Sequence, residues 1–401
     1  MNEKAEMKPL AGMRVLDMSR VLAGPLCAQA LGDLGAEVIK VESPGLGDET
    51  RGWPPFKGAG LGAVFLSVNR NKRSVVIDMK RPEGRELVYQ LARNADVAIE
   101  SFSTGVAERL GIAPKTLQEL NPRLVHCSIS GFGREGSLRN APGYDVILQA
   151  FAGVMSMTGD EGGGYIRSPI SPIDQMTGTH AIIGILAALM ERQRTGIGGT
   201  VKVSLFDTAM SLQRYNLQSF WQLGVQSPKC GSSHESLCPY QAFEAADGPI
   251  MIGVANDNLW KKFCRVAGLD DIVDAPEFRT NADRVAHRAA TITRVQVAIA
   301  QQPVSFWYGA LSGVGVPCSP INTLSQLLDH PHTKESDVVV SYEHPAVGPI
   351  KSVGQPYILN DQKRTAGSPP PMHGQHTQEI LHELGLRDTD IAKLREAGIV
   401  G

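Results

Sequence analysis

Charge of one sign, clustered cysteine and long apolar runs are all missing from this sequence. Lys and Arg number 39 against 41 Asp and Glu, a formal net charge of −2. No basic field is available to hold nucleic acid, so an anionic ligand must be bound by local chemistry. The six cysteines, Cys27, Cys127, Cys230, Cys238, Cys264 and Cys318, are scattered. With no Cys-x-x-Cys and no histidines at finger spacing, neither a disulfide framework nor a zinc site is expected, and buried cytosolic thiols are the plain reading. The longest apolar stretch, Ala181 to Met190, falls short of the ~20 residues that span a bilayer. The N-terminal Met1 to Lys8 mixes charges and has no apolar h-region. A cytoplasmic protein without membrane, nucleic-acid or metal partners is expected. The phosphate-binding loop, the G-x-S-x-G elbow and H-E-x-x-H are also absent, which removes the minimal parts of three enzyme classes.

What remains is an ordinary globular composition, 42% apolar and 20% charged, over 401 residues. At ~150 residues per domain this allows two or three domains with real cores. Short β-type runs alternate with helical patterns: Met13 to Met18, a helical Cys27 to Leu34, then Glu37 to Glu42, Ser74 to Asp78, a helix Pro82 to Asn94, Asp96 to Glu100 and Leu124 to Ser130. This βαβ order predicts an α/β fold around a mostly parallel sheet covered on both faces. A long helix over Thr177 to Arg194 stops at Gly196 and is followed by a strand from Thr200. The Ser-, Gly- and Pro-rich Gln226 to Leu237 reads as a linker or loop. A hairpin over Tyr240 to Val254 then opens a smaller domain, with helices near Trp260 to Ala267 and Arg284 to Gln301. A Pro- and His-rich return segment leads to a helix at Thr377 to Leu386.

Gly131 to Gly136 matches G-x-G-x-x-G after a strand, but Ser137 to Gly143, with Pro142, cannot start the helix a dinucleotide fingerprint requires. Asp174 stands just ahead of the apolar Ala181 to Leu189 stretch, at a helix N-terminus. Residue type alone favours an N-cap there over a carboxylate nucleophile. Asp145, after Gly143 and Tyr144, is a second natural cap. Arg70, Lys72 and Arg73, with Lys80 and Arg81 beyond, form a cationic stretch whose commoner outcome is a solvated edge, phosphate binding being the sharper one. His234 lies in a polar loop, by default a surface histidine.

Taken in order, seven segments carry a family resemblance: Arg20 to Pro25, Leu34 to Glu42, Gly47 to Arg51, Asn71 to Ser74, Glu100 to Gly111, Gly143 to Asp145 and Gly315 to Pro320. Together they resemble the family III coenzyme A transferases, the CaiB/BaiF family, over nearly the whole chain. The resemblance implies that Asp174 is the nucleophile and overturns the cap reading. It implies a coenzyme A site along Leu22 and Ala23, Ile77, Asp78, Met79 and Lys80, Ser101, Phe102 and Ser103, Arg109, and Tyr144 with Asp145. It also implies a Rossmann-like large domain built from both chain ends (1–205 and 330–401), a linker (206–228), an inserted smaller α+β domain (229–325) and an interlaced homodimer. No cofactor is implied, coenzyme A being a substrate.

Departures narrow the branch. Leu22 replaces the glutamine of the formyl-CoA:oxalate branch, and Tyr144 replaces the histidine of the racemase branch with a residue type poorly suited to that proton transfer. Ser67 to Arg73, His234 ahead of Pro239 to Phe243, and His344 to Gly348 resemble the succinyl-CoA-dependent dicarboxylate branch. A second substrate carboxylate calls for a cation, and Arg51, Arg167 and His234 are candidates by residue type. The expected activity is CoA transfer from an acyl-CoA to a small carboxylic acid. The alternatives are an acyl-CoA racemase, an intramolecular CoA transfer, or a CoA-binding protein without turnover.

Overall fold

The computed structural model describes residues 7–56 and 61–401. The Met1 to Glu6 part of the charged N-terminal segment lies outside them. The described residues fall into two compact units, one from residues up to Ala152, Ser168–Gln213 and Pro331–Gly401, the other from Gly153–Arg167 and Arg214–His330.

The first unit is organised by six strands: β1 (Arg14–Met18), β2 (Glu37–Glu42), β3 (Lys72–Val76), β4 (Val97–Glu100), β5 (Val125–Ser130) and β6 (Gly199–Ser204). All neighbours are parallel, in the order β3-β2-β1-β4-β5-β6. Two-residue periodicity deals side chains to opposite layers. Leu16, Ile39, Val75 and Ala98 face Leu87, Val88, Ile380 and Ile391 on one side. Val15, Val38, Val97 and Val125 face Leu31, Ile173, Ile185 and Ala209 on the other. Helices therefore cover both faces, as near-continuous apolar strands require. The chain end closes one layer: the Val76 amide donates to Thr377 Oγ1 at 3.1 Å, the His376 amide donates to the Ser74 carbonyl, and Ile77 bridges to Val400.

Two expectations about this unit are corrected. The cations of residues 70–73 do not form a solvated edge, because each meets a carboxylate on another element. Lys72 Nζ donates to Asp17 Oδ2 at 2.9 Å, to the Pro25 carbonyl and to Asn69 Oδ1, which uses all three ammonium protons. Arg70 pairs with Asp33 at 3.1 Å, and Arg73 with Glu37 and Glu383. The long helix begins at Pro172 and runs 24 residues to Thr195. Length and apolarity alone would now let it cross a membrane. In the structure it packs against Ala23–Asp33, β5 and β6. The return segment also holds a hairpin, β10 (Val339–His344) and β11 (Gly348–Val353). Its turn is pinned by His344, whose Nδ1 accepts the Ala346 amide and whose Nε2 lies 2.9 Å from the Pro370 carbonyl.

The second unit carries a three-stranded antiparallel sheet of β7 (Tyr240–Ala245), β8 (Gly248–Gly253) and β9 (Cys318–Pro320). Phe243, Ile250, Trp260, Phe263, Val295 and Trp307 form its core. Arg284 is fully buried there, donating to the Cys238 and Phe278 carbonyls and pairing with Asp257 at 2.9 Å. The linker expected at 206–228 is mostly helix, Leu205–Leu212 in the first unit and Arg214–Leu223 in the second.

Candidate active site

Between β1 and β4 the order of the parallel strands reverses direction, and ligands of open α/β sheets bind beyond the carboxyl ends of the strands at that point. A cavity of about 200 Å³ opens there, lined by residues that follow β1 (Arg20 to Gly24), β4 (Ser101 to Thr104) and β5 (Ile129 to Gly131), together with Asp174. The loop after β1 is held in an uncommon conformation: Val21, a β-branched residue, has φ 73°, in the left-handed region. Polar groups hold it from both sides, Asp48 and Lys40 buried and Ser101 half-buried. The Arg20 amide donates to Ser101 Oγ at 3.0 Å, the Val21 amide to Asp48 Oδ1 at 3.4 Å, and Lys40 Nζ to the Ser19 carbonyl at 3.0 Å. Lys40 in turn pairs with Asp48 Oδ2 at 3.0 Å. After β4, Glu100 accepts the Phe102 amide and the Arg134 guanidinium, which also donates to the Phe102 carbonyl.

The helix bearing Asp174 is placed with equal definition. Ser171 precedes it with φ 48°, Pro172 occupies its first position, and Asp174 its third. Gly178, one turn on, lies so close to Ala23–Asp33 that a Cβ there would stand 2.7 Å from the Ala23 carbonyl oxygen. The backbones of the two helices therefore meet at the cavity wall. The helix is capped by Asp145, whose Oδ2 accepts the amides of Ile173 at 2.8 Å and Asp174 at 3.1 Å. The Gln149 side-chain amide donates to the other oxygen of Asp145, and Gln149 Oε1 accepts the Ser168 amide at 2.8 Å. Asp145 was expected to cap its own helix; Tyr144 occupies that N-cap position instead, and the Asp145 carboxylate reaches across. Burial, and next the negative charge of Asp145, push the Asp174 carboxyl up to about 7.

Seven of the residues named from the sequence line this cavity: Leu22, Ala23, Ser101, Phe102, Ser103, Tyr144 and Asp174. A neighbouring hollow of about 240 Å³ shares Arg20 and Phe102 with it and is lined by Ile77, Asp78, Met79 and Lys80. Arg109 is exposed on the short helix Val106–Arg109, whose Val106 borders the second hollow. Asp145 lines neither hollow and is buried beneath the first.

The three substrate candidates fare differently. Arg51 is buried, paired with both Glu42 oxygens at 2.8 and 2.6 Å, donating to the Pro371 carbonyl and lying 3.7 Å over the Phe65 ring. That leaves no edge of its guanidinium for a substrate carboxylate, so Arg51 is a structural cation. Arg167 and His234 belong to the second unit. Arg167 is exposed, and His234 borders an open hollow of that unit with Arg214, Tyr215 and Cys230, its Nδ1 accepting the Ser236 amide. Two cations were missed. Arg20 and Arg139 are exposed on the wall of the Asp174 cavity, and neither forms an ion pair among the described residues. For Arg20 the signal was its place at the start of the Arg20 to Pro25 segment that carries the family resemblance; Arg139 stands in a turn-rich stretch that offers none.

A family model described as CoA-transferase family III matches residues 10–377. An acyl-CoA transferase of Fusarium pseudograminearum is 38% identical over 98% of this chain and 88% of its own. The succinyl-CoA:glutarate CoA-transferase of Homo sapiens is 36% identical over 98% of this chain and 90% of its own. A crystal structure of a CaiB/BaiF family protein from Brucella suis superposes with a TM-score of 0.83 at 33% identity, covering 94% of this chain and all of that one.

Proposed function

The chain belongs to CoA-transferase family III, and from that premise we propose that it moves coenzyme A from succinyl-CoA to a short dicarboxylate through Asp174. The observation that carries this reading is the Asp174 carboxylate itself, set at the switch-point cavity and raised to about 7. A carboxylate is a modest nucleophile, and a more basic one held against the thioester is a better one. The choice of acids follows the relatives, which bear names such as succinyl-CoA:glutarate and succinyl-CoA:mesaconate CoA-transferase.

The steps balance without net proton movement. An Asp174 oxygen attacks the thioester carbonyl, the C–S bond breaks, and coenzyme A leaves as thiolate, giving a mixed anhydride. The thiolate attacks the Asp174 carbonyl, which releases succinate and leaves an aspartyl-CoA thioester. The acceptor carboxylate then attacks that thioester and expels the thiolate. Finally the thiolate attacks the acceptor acyl carbonyl of the new anhydride, freeing Asp174 and the acyl-CoA product. In this reading coenzyme A runs from the Ile77 to Lys80 hollow past Phe102 to Asp174, with Leu22, Ala23, Ser101, Ser103 and Tyr144 along the acyl end and Arg109 outside. Arg20 and Arg139 supply cations on the cavity wall for an anionic substrate. The enzyme works as an interlaced homodimer in the cytoplasm, with coenzyme A as substrate and no resident cofactor.

The test is intact-protein mass spectrometry after mixing with succinyl-CoA, with hydroxylamine trapping and peptide mapping. The expected result is a coenzyme A mass increase on the untreated intact protein and, after hydroxylamine, release of coenzyme A with a hydroxamate mapped to Asp174. Binding of coenzyme A without that adduct overturns the reading and leaves proton transfer, read by deuterium exchange at the substrate α-carbon, or binding alone.

A further inference from the structure

We propose that Asp145 is a positioning residue for this acyl transfer: its carboxylate occupies the helix-terminal amides onto which Asp174 would otherwise fold, so that Asp174 stays uncapped and presents its carboxylate to the cavity. The proposal rests on Asp174 being the nucleophile and adds the group that keeps it one.

An aspartate at the third position of a helix is well placed to satisfy the orphan amides of the first turn. Such bonds stabilise the ionised form and would lower its basicity. Here Pro172 has no amide proton and the next two amides are taken. Ile173 and Asp174 donate to Asp145 Oδ2 at 2.8 and 3.1 Å, and the Asp174 carboxylate accepts no hydrogen bond among the described residues. Asp145 is only 4% exposed, and Gln149, itself fully buried and tied to the Ser168 amide, fixes its second oxygen. The cap therefore comes from a side chain 28 residues away from the first amide it serves, and the charge it brings sits 3.1 Å from the backbone nitrogen of the nucleophile.

Other charges are arranged differently. The cavity wall offers Arg20, Glu49, Arg134, Arg139 and Tyr144. Among elements packed on the 172–195 helix, Ala23–Asp33 carries Cys27 and Asp33, β5 carries His126 and Cys127, β6 carries Lys202, and Leu205–Leu212 carries Asp207. Arg134 is tied to Glu100, Asp33 to Arg70, and Asp207 to Ser204. Asp145 is the anion bound to the backbone of Asp174 itself.

The experiment follows the rate of adduct formation at Asp174 against pH, in the wild-type enzyme and in Asp145→Asn. Asparagine keeps an oxygen for the two amides and removes the charge. The acid limb, near 7 in the wild type, should move down by about one pH unit. Asp145→Ala, which also removes the cap, should slow adduct formation about a hundredfold by letting Asp174 turn onto its own helix. A loss of rate in Asp145→Asn with the limb unmoved would reduce Asp145 to a structural role and overturn the proposal. Absence of any adduct in the wild type removes the nucleophile itself, and this proposal with it. Should the variants fail to fold, carbodiimide labelling of the wild type decides. It modifies protonated carboxyls, and a half-loss of Asp174 labelling near pH 4 in place of pH 7 overturns the proposal.

Discussion

Asp174 works against the stability of its own fold, and the cost can be worked out. In the unfolded chain its carboxyl titrates at the ordinary 3.8, and in the folded protein at about 7. Between those values the folded state keeps a proton that the unfolded state has released. Stability therefore falls as pH rises through the window and levels off above it. The full difference of about 3 pH units corresponds to a ceiling of about 4 kcal/mol, which the open side of the cavity reduces to about 2. Asp174→Asn removes the titration and keeps the shape. Its melting temperature should match that of the wild type near pH 4, pull ahead steadily to pH 7, and stay about 3 °C ahead above that. Calorimetry of both proteins from pH 4 to 8 reads this directly, the other titrating groups being common to both. An advantage of the variant that does not change with pH, or that shrinks as pH rises, would refute the reasoning.

Two further outcomes follow from the buried pairs. Lys72→Met takes from Asp17, held below the usual carboxylate range by Lys72 and Lys40 despite its burial, the nearer of its two cations, leaving Lys40 at 4.0 Å, and should destabilise the first unit by about 2–3 kcal/mol in denaturant titration. Arg51→Gln should likewise lower stability, by about 3 kcal/mol, yet leave the ratio of KM for a dicarboxylate to KM for a monocarboxylate unchanged; a selective rise for the dicarboxylate would return Arg51 to the substrate site.

The strands were legible for a physical reason. A strand buried on both faces must be apolar along its length, and Arg14–Met18, Glu37–Glu42 and Val125–Ser130 fall within a residue or so of their expected bounds. The helices at 205–212 and 214–223 were hidden in what read as a linker, because their partners are brought up by the sheet and not by neighbouring sequence. The same holds for the cations. Nothing local to Lys72 reveals that Asp17, 55 residues earlier, faces it across the sheet. At the site, the place of Asp174 at a helix start was readable, while the identity of its cap was not, since Asp145 reaches it through space. Arg51 was misread because residue type announces a cation and says nothing about Glu42, nine residues away in sequence and in bidentate contact in space.

The closure of one core layer by the chain end sets a timetable for synthesis. Val76 and Thr377 are 301 residues apart, and at about 5–20 residues per second a ribosome needs roughly 15–60 s to cover that interval. Throughout that time β1, β2 and β3 exist without Ile380, Leu381, Ile391, Ile399 and Val400, which complete the apolar layer against them. The nascent chain thus carries a sheet face covered only by Leu87, Val88, Leu91 and Leu117 and their neighbours while most of the second unit is being made. This interval, when a half-covered parallel sheet waits for its last partners, is when the protein most needs shielding by chaperones.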